Sequence, residues 1–187
     1  MIIVEGPDGA GKTTLIQDLL EDYPLTLGER GTDDRDKLYE VTVPDSFRAI
    51  RTMLEGQTSR FPVIWDRLFF SDYVYAPIQN RPVAFSTEEK LFITNTLRTL
   101  GVPVILCLPP WDRVRRSVED PSRHEMPLVK ENIHRIYNGY ARDLPRAWFT
   151  FKYDYTLPEM YGNLKQHIDH YMKVRSRRQW TLPTGNA

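Results

Sequence analysis

The chain has 187 residues, enough for one domain with a well-sized core. Its 25 Lys and Arg offset 25 Asp and Glu, so no overall positive field draws it to duplex nucleic acid. The single cysteine, Cys107, excludes an internal disulfide and offers no zinc cluster, and no apolar run reaches the roughly 18 residues that cross a bilayer. The sequence enters a strand at once, so no signal peptide is expected, and a reducing, cytoplasmic location is expected with it.

Met1-Ile2-Ile3-Val4 reads as a buried parallel strand. Gly6-Pro7-Asp8-Gly9-Ala10-Gly11-Lys12-Thr13 follows, the G-x-x-x-x-G-K-[ST] phosphate loop, and a helix is predicted over Thr13–Glu21. Leu25–Leu27 is a short second strand, and the polar stretch Gly28–Val43 carries no assigned structure. Pro44-Asp45 stops one segment and caps the next, a helix over Asp45–Leu54 that ends near Gly56. Pro62–Trp65 reads as a strand and Phe69–Tyr75 as a helix. Thr87–Leu100 is a helix, with Ser86 or Thr87 as cap, glutamates in its first turn and Gly101 past its end. Val102–Leu108 is an apolar strand in which Cys107 is expected as a buried structural thiol. A helix over Leu128–Leu144, a strand over Trp148–Tyr153 and a helix over Glu159–Val174 complete the pattern, and a frayed basic end is expected from Arg175. Strand–helix alternation of this kind predicts a parallel sheet covered on both faces, with ligands beyond the carboxyl ends of its strands.

Chemistry concentrates at three places. In the phosphate loop, glycines let backbone N–H groups turn inward on phosphate oxygens, and the helix adds its positive end. Lys12 reaches the outer phosphates, and the Thr13 hydroxyl can hold Mg²⁺. Past the third strand, Asp66 would lie beside the loop, suited to ordering Mg²⁺ or accepting a proton, and Arg67 offers a planar fork for phosphate oxygens. After Pro109-Pro110 stands an arginine cluster, Arg113, Arg115, Arg116 and Arg123, beside Glu119 and Asp120.

Glu5-Gly6-Pro7-Asp8-Gly9-Ala10-Gly11-Lys12-Thr13-Thr14, together with Trp65-Asp66-Arg67 followed by Ser71 and Tyr75, resembles thymidylate kinase and, more broadly, the P-loop deoxynucleotide kinases. The resemblance implies a three-layer α/β/α P-loop kinase fold with a five-stranded parallel sheet, one domain over residues 1–172 and a lid at about 110–127, with 173–187 a basic tail. It implies transfer of the ATP γ-phosphate, with Mg²⁺, to a deoxynucleoside monophosphate, dTMP or a modified pyrimidine analogue first. Gly6, Asp8, Gly9, Ala10, Gly11, Lys12, Thr13 and Thr14 would bind ATP, and Thr13 and Asp66 the metal. Lys12, Asp66, Arg67 and the lid arginines Arg115 and Arg116 would be catalytic, with Arg123 third. Gly9 stands where some relatives place a loop arginine, so this chain should depend on its lid. Asp8, Arg30, Phe47, Arg51, Ser71 and Tyr75 would hold the acceptor: the Phe47 ring stacked on the base, Arg51 on its edge, and Ser71 and Tyr75 on one helical face. Relatives often pair as homodimers. The segments 30–44 and 76–86 depart from the family pattern around the acceptor. Two other readings stay open: a kinase of nucleosides or of a hydroxymethylated pyrimidine within DNA, and a nucleotide-binding module without catalysis.

Overall fold

A computed structural model describes residues 1–28, 62–83, 85–122, 127–147 and 150–179. Five parallel strands form one sheet: β1 Ile2–Glu5, β2 Thr26–Leu27, β3 Val63–Asp66, β4 Val104–Cys107 and β5 Thr150–Tyr153, in the order β2-β3-β1-β4-β5. The helices between them are α1 Lys12–Asp22, α2 Phe69–Tyr75, α3 Thr87–Leu100, α4 Trp111–Glu119, α5 Pro127–Ala147 and α6 Met160–Gln179. From β1 the chain crosses to the edge strand β2, returns to β3 and then passes over β1 to β4, so the connections leaving β1 and β3 run in opposite directions and the crevice between these two strands opens at their carboxyl ends.

The strands are apolar because both faces of the sheet are covered. Every residue of β1 and β4 is buried. Complete burial of each Ile, Val or Leu there is worth about 1.5–3 kcal/mol. Register divides the functional side chains between the faces. Ile2 pairs with Ile64 and Val4 with Asp66, so Asp66 lies on the Val4 face, and Glu5 points to the opposite one. The Glu5 face is covered by α2 and α5, whose Ser71 and Tyr140 meet the Glu5 carboxylate.

Several boundaries differ from the sequence expectation. β3 begins after Pro62 and includes Asp66, because Pro62 contributes only its carbonyl, which accepts the Thr26 N–H. β4 is shorter than the apolar run Val102–Leu108, although Leu108 N–H still reaches the Tyr153 carbonyl. The arginine-rich stretch after Pro110 is a regular helix, α4, held by the buried Val114 and Val118. The last helix, expected over Glu159–Val174, passes the fraying point expected at Arg175 and continues to Gln179; Arg175 itself is buried, in keeping with the extension. The helix expected over Asp45–Leu54 lies outside the described residues. Cys107 is wholly buried, and burial pushes its thiol up to about 12, in keeping with a structural role. Among the described residues no helix is long and apolar enough to cross a membrane.

Candidate functional site

The turn from β1 into α1 approaches β4 very closely. Gly6 has φ +147°, and a Cβ there would stand 2.4 Å from the Cys107 carbonyl oxygen, so only glycine lets the loop leave the strand at this angle. α1 then starts without a side-chain cap and without an acidic residue in its first turn. α3 is the contrast: Ser86 and Glu89 close a reciprocal capping box at its start. The positive pole of α1 is therefore left open toward the loop, the electrostatic condition for holding an anion.

Lys12 is buried, and its Nζ donates to the Pro7 carbonyl at 2.7 Å. Burial, joined by the nearby Arg67 cation, lowers its pKa from 10.5 to about 8, while Asp8, Asp66 and Cys107 act in the opposite direction. Asp66 thus lies near enough for its charge to act on Lys12. Thr13 is exposed in the first turn of α1. The Asp66 carboxylate and Thr13 hydroxyl are hard oxygen donors of the kind Mg²⁺ takes alongside substrate phosphates and water. Among the described residues no cluster of three or more His, Cys, Asp or Glu forms a protein-only metal cage.

Arg67 follows directly on β3. It adopts φ +65°, its N–H donates to the Val4 carbonyl at 2.8 Å, and its guanidinium donates to Asp8 Oδ1 within the phosphate loop. The Tyr75 hydroxyl donates to Asp8 Oδ2 at 2.7 Å, and the Arg67 guanidinium lies over the Tyr75 ring at 4.8 Å. Burial pushes the Asp8 carboxyl up, yet Arg67, Lys12 and the Tyr75 hydroxyl together hold it below its ordinary value. A carboxylate, a guanidinium and a phenol from three separate segments thus meet at the rim of the loop.

Ser71, expected with Tyr75 at the acceptor pocket, bonds partners other than Asp8 and Arg67. Its hydroxyl donates to Glu5 Oε2 at 2.9 Å and lies 2.9 Å from the Tyr140 hydroxyl. Glu5 also accepts the Leu68 N–H at 2.8 Å and the Tyr140 hydroxyl at 3.3 Å. The carboxyl is fully buried; burial raises its pKa from 4.5 to about 7, against the lowering effect of the Leu68 amide, Ser71, Arg67 and Lys12. The sequence alone marks Glu5 only as the residue that opens the phosphate-loop motif. The available signal was an ionisable residue ending an apolar strand that both faces of the sheet enclose.

α4 rests on the phosphate loop. A Cβ on Gly9, at φ +74°, would lie 3.0 Å from both Ser117 Cβ and Val118 Cγ2, so the space beside Gly9 is filled by this helix. The α4–α5 hairpin is pinned at its base by Trp111, edge-on to His134 and Tyr137, and by the Tyr137 hydroxyl on the Pro109 carbonyl at 3.0 Å. The exposed arginines of α4 differ in their neighbours. Arg113 stands one turn before Ser117, on the same stripe, and Arg115 pairs with Glu119 at 3.2 Å. Arg116 is exposed. The ring of Tyr155, after β5, lies against the other end of the loop, where a Cβ on Gly11 would meet it at 3.0 Å. Arg30, Phe47, Arg51 and Arg123 lie outside the described residues.

No protein-family model matches the sequence, and no curated protein matches it. Solved structures do match. The YorR protein of Bacillus subtilis, in complex with phosphorylated GDP, has a TM-score of 0.65 at 19% identity over 92% of this chain and 97% of its own. Deoxyadenosine kinase of M. mycoides with bound dATP has a TM-score of 0.59 at 12% identity, covering 90% of this chain and 98% of that one. Thymidylate kinase of Candida albicans has a TM-score of 0.53 at 14% identity, covering 93% and 92%. With the phosphate loop between β1 and α1 and an Asp-Arg pair ending β3, the chain is similar to these proteins over nearly their whole length and carries the P-loop nucleotide kinase fold.

Proposed function

We propose that the protein is an ATP-dependent kinase that passes the γ-phosphate to a deoxynucleoside monophosphate, with dTMP or a modified pyrimidine analogue as the first acceptor. The observation that carries this reading is the junction of Asp8, Arg67 and Tyr75 at the rim of the phosphate loop. A structural turn has no need of an ionised carboxylate and a guanidinium brought from two strand ends onto one spot. A site that must grip both a phosphate chain and a hydroxylated sugar does.

In this reading the loop amides and Lys12 hold the donor, and Thr13 and Asp66 hold Mg²⁺, which would draw charge from the transferring phosphoryl group. Arg67 and an arginine of α4 neutralise the charge spread over that group's oxygens. Asp8 and Tyr75 orient the acceptor, with Phe47 and Arg51 on its base. Positioning and electrostatics supply most of the rate, since phosphoryl transfer asks little covalent chemistry of the protein.

A nucleoside acceptor is the second reading. It is favoured by the similarity to deoxyadenosine kinase, whose solved forms hold dATP, dCTP or the products dCMP and dCDP. One experiment tests both: labelled ATP and Mg²⁺ incubated with nucleosides, nucleoside monophosphates and DNA carrying hydroxymethylated pyrimidines. Label in a diphosphate supports the first reading, label in a monophosphate the second, and label in none removes the kinase assignment.

A further inference from the structure

Arg67 occupies a backbone region that non-glycine residues seldom enter, at φ +65°. Such a conformation persists only where its surroundings dictate it. Two hydrogen bonds to β1 do so here. The Arg67 N–H is held by the Val4 carbonyl, and the next N–H, of Leu68, is held by Glu5 Oε1. The same carboxylate accepts Ser71, one turn into α2, and Tyr140 from α5. α2 has no side-chain cap of its own, so the carboxylate of β1 serves its first turn in that place.

We propose that Glu5 is a positioning residue of the transfer site: it anchors the turn at Leu68 and the start of α2, and thereby holds Arg67 turned toward Asp8 with Tyr75 beneath its guanidinium. The proposal rests on the kinase reading above. It adds that the function of the rim depends on a group that touches neither donor nor acceptor. Lying below the rim, Glu5 acts through Leu68 and Ser71. A carboxylate there costs desolvation that a leucine would avoid, so a purely structural requirement would not select it. A glutamine would keep the geometry: its carbonyl can accept from Leu68, and its amide can donate to the hydroxyls of Ser71 and Tyr140, which accept as readily as they donate.

Three proteins test the idea: the wild type, Glu5→Ala and Glu5→Gln, each read in two ways. The first is steady-state transfer. Glu5→Ala is expected to lower kcat about 100-fold with KM for ATP within about two-fold, the size of effect seen on removing one well-aimed charge-stabilising group, and Glu5→Gln is expected to recover kcat to within about five-fold of the wild type. The second is the guanidinium signal of Arg67 in ¹⁵N-arginine-labelled protein. It is expected to be slowly exchanging in the wild type and in Glu5→Gln, and to move to the free-arginine position in Glu5→Ala. If Glu5→Ala does not melt cooperatively, Ser71→Ala combined with Tyr140→Phe replaces it, with a loss of about ten-fold in kcat expected. A wild type that labels no acceptor removes the kinase reading and leaves the Arg67 signal to decide the positioning claim. Transfer and Arg67 signal both unchanged in the variants overturn the claim and leave the kinase reading standing.

Discussion

Lys12 turns back on its own loop, its Nζ 2.7 Å from the Pro7 carbonyl, so the cation that the proposed reading sets against the donor phosphates is held by a main-chain oxygen of the loop itself. In that reading, binding a triphosphate exchanges the carbonyl for phosphate oxygens. Lys12→Ala is therefore expected to lower transfer at least 100-fold while leaving the fold intact, because it also removes a desolvated charge. Turnover with labelled ATP and a thermal melt on the same variant check both halves. Near-normal turnover would remove the donor assignment.

The same exchange has a proton signature. Without ligand, Lys12 titrates near pH 8. Phosphate oxygens favour its charged form and raise that value. ATP binding at pH 8.5 is then expected to take up a fraction of a proton, falling toward zero by pH 6.5. Calorimetry in buffers of different ionisation enthalpy reads this directly, and buffer-independent heats at pH 8.5 would contradict it.

Glu5 and Asp8 make opposite contributions to stability against pH. For Glu5 the folded value, about 7, exceeds the unfolded 4.5, so between these limits the folded chain binds more protons and stability declines as pH rises. Asp8 is depressed below 3.8, so its contribution is complete above the unfolded value and is lost as pH falls through the folded one. Glu5→Gln should therefore melt at an equal or higher temperature than the wild type at pH 8, and Asp8→Asn at a lower one. Melting curves from pH 3 to pH 8 decide this; a lower melting temperature for Glu5→Gln at pH 8 would sink the first half.

On α4, Arg115 is paired with Glu119, and Arg113 shares the stripe of Ser117. Alanine at Arg115 should change kcat by less than about three-fold. Alanine at Arg113 or at Arg116 should lower it ten-fold or more, within the range of a lost charge-stabilising contact. An equal loss at Arg115 would mean that its pairing with Glu119 gives way when nucleotide binds.

The proposed reading stacks Phe47 on the acceptor base. One stacked ring contributes about 1–3 kcal/mol per base. Phe47→Ala should raise KM for the acceptor at least five-fold and leave KM for ATP within two-fold, as initial-rate kinetics would show. Equal losses on both substrates would instead mark the ring as part of the core.

The sheet was legible in the sequence because its strands are short apolar runs bounded by Gly, Pro or charge, and the phosphate loop because its glycines and lysine have fixed spacing. Ser86 and Gly101 bounded α3 for the same local reason, and both ends fall where the capping chemistry puts them. Other features depend on what lies across the fold. Ser71 and Tyr75 share a helical face by spacing, yet Glu5 and Tyr140 claim one and Asp8 claims the other. Glu5 was passed over because an acid ending an apolar strand resembles a boundary until α5 is seen covering it. Arg115 and Arg116 are adjacent in sequence and diverge in space because successive residues of a helix point in different directions.

The left-handed backbone at Arg67 has a consequence for variation at that position. Were folding the only demand, glycine or asparagine would fit the turn with less strain, and both are shorter and uncharged. A library selected solely for thermal tolerance should drift toward them there, while one selected for turnover should retain the long cation. Position 67 thus separates the two pressures within a single codon.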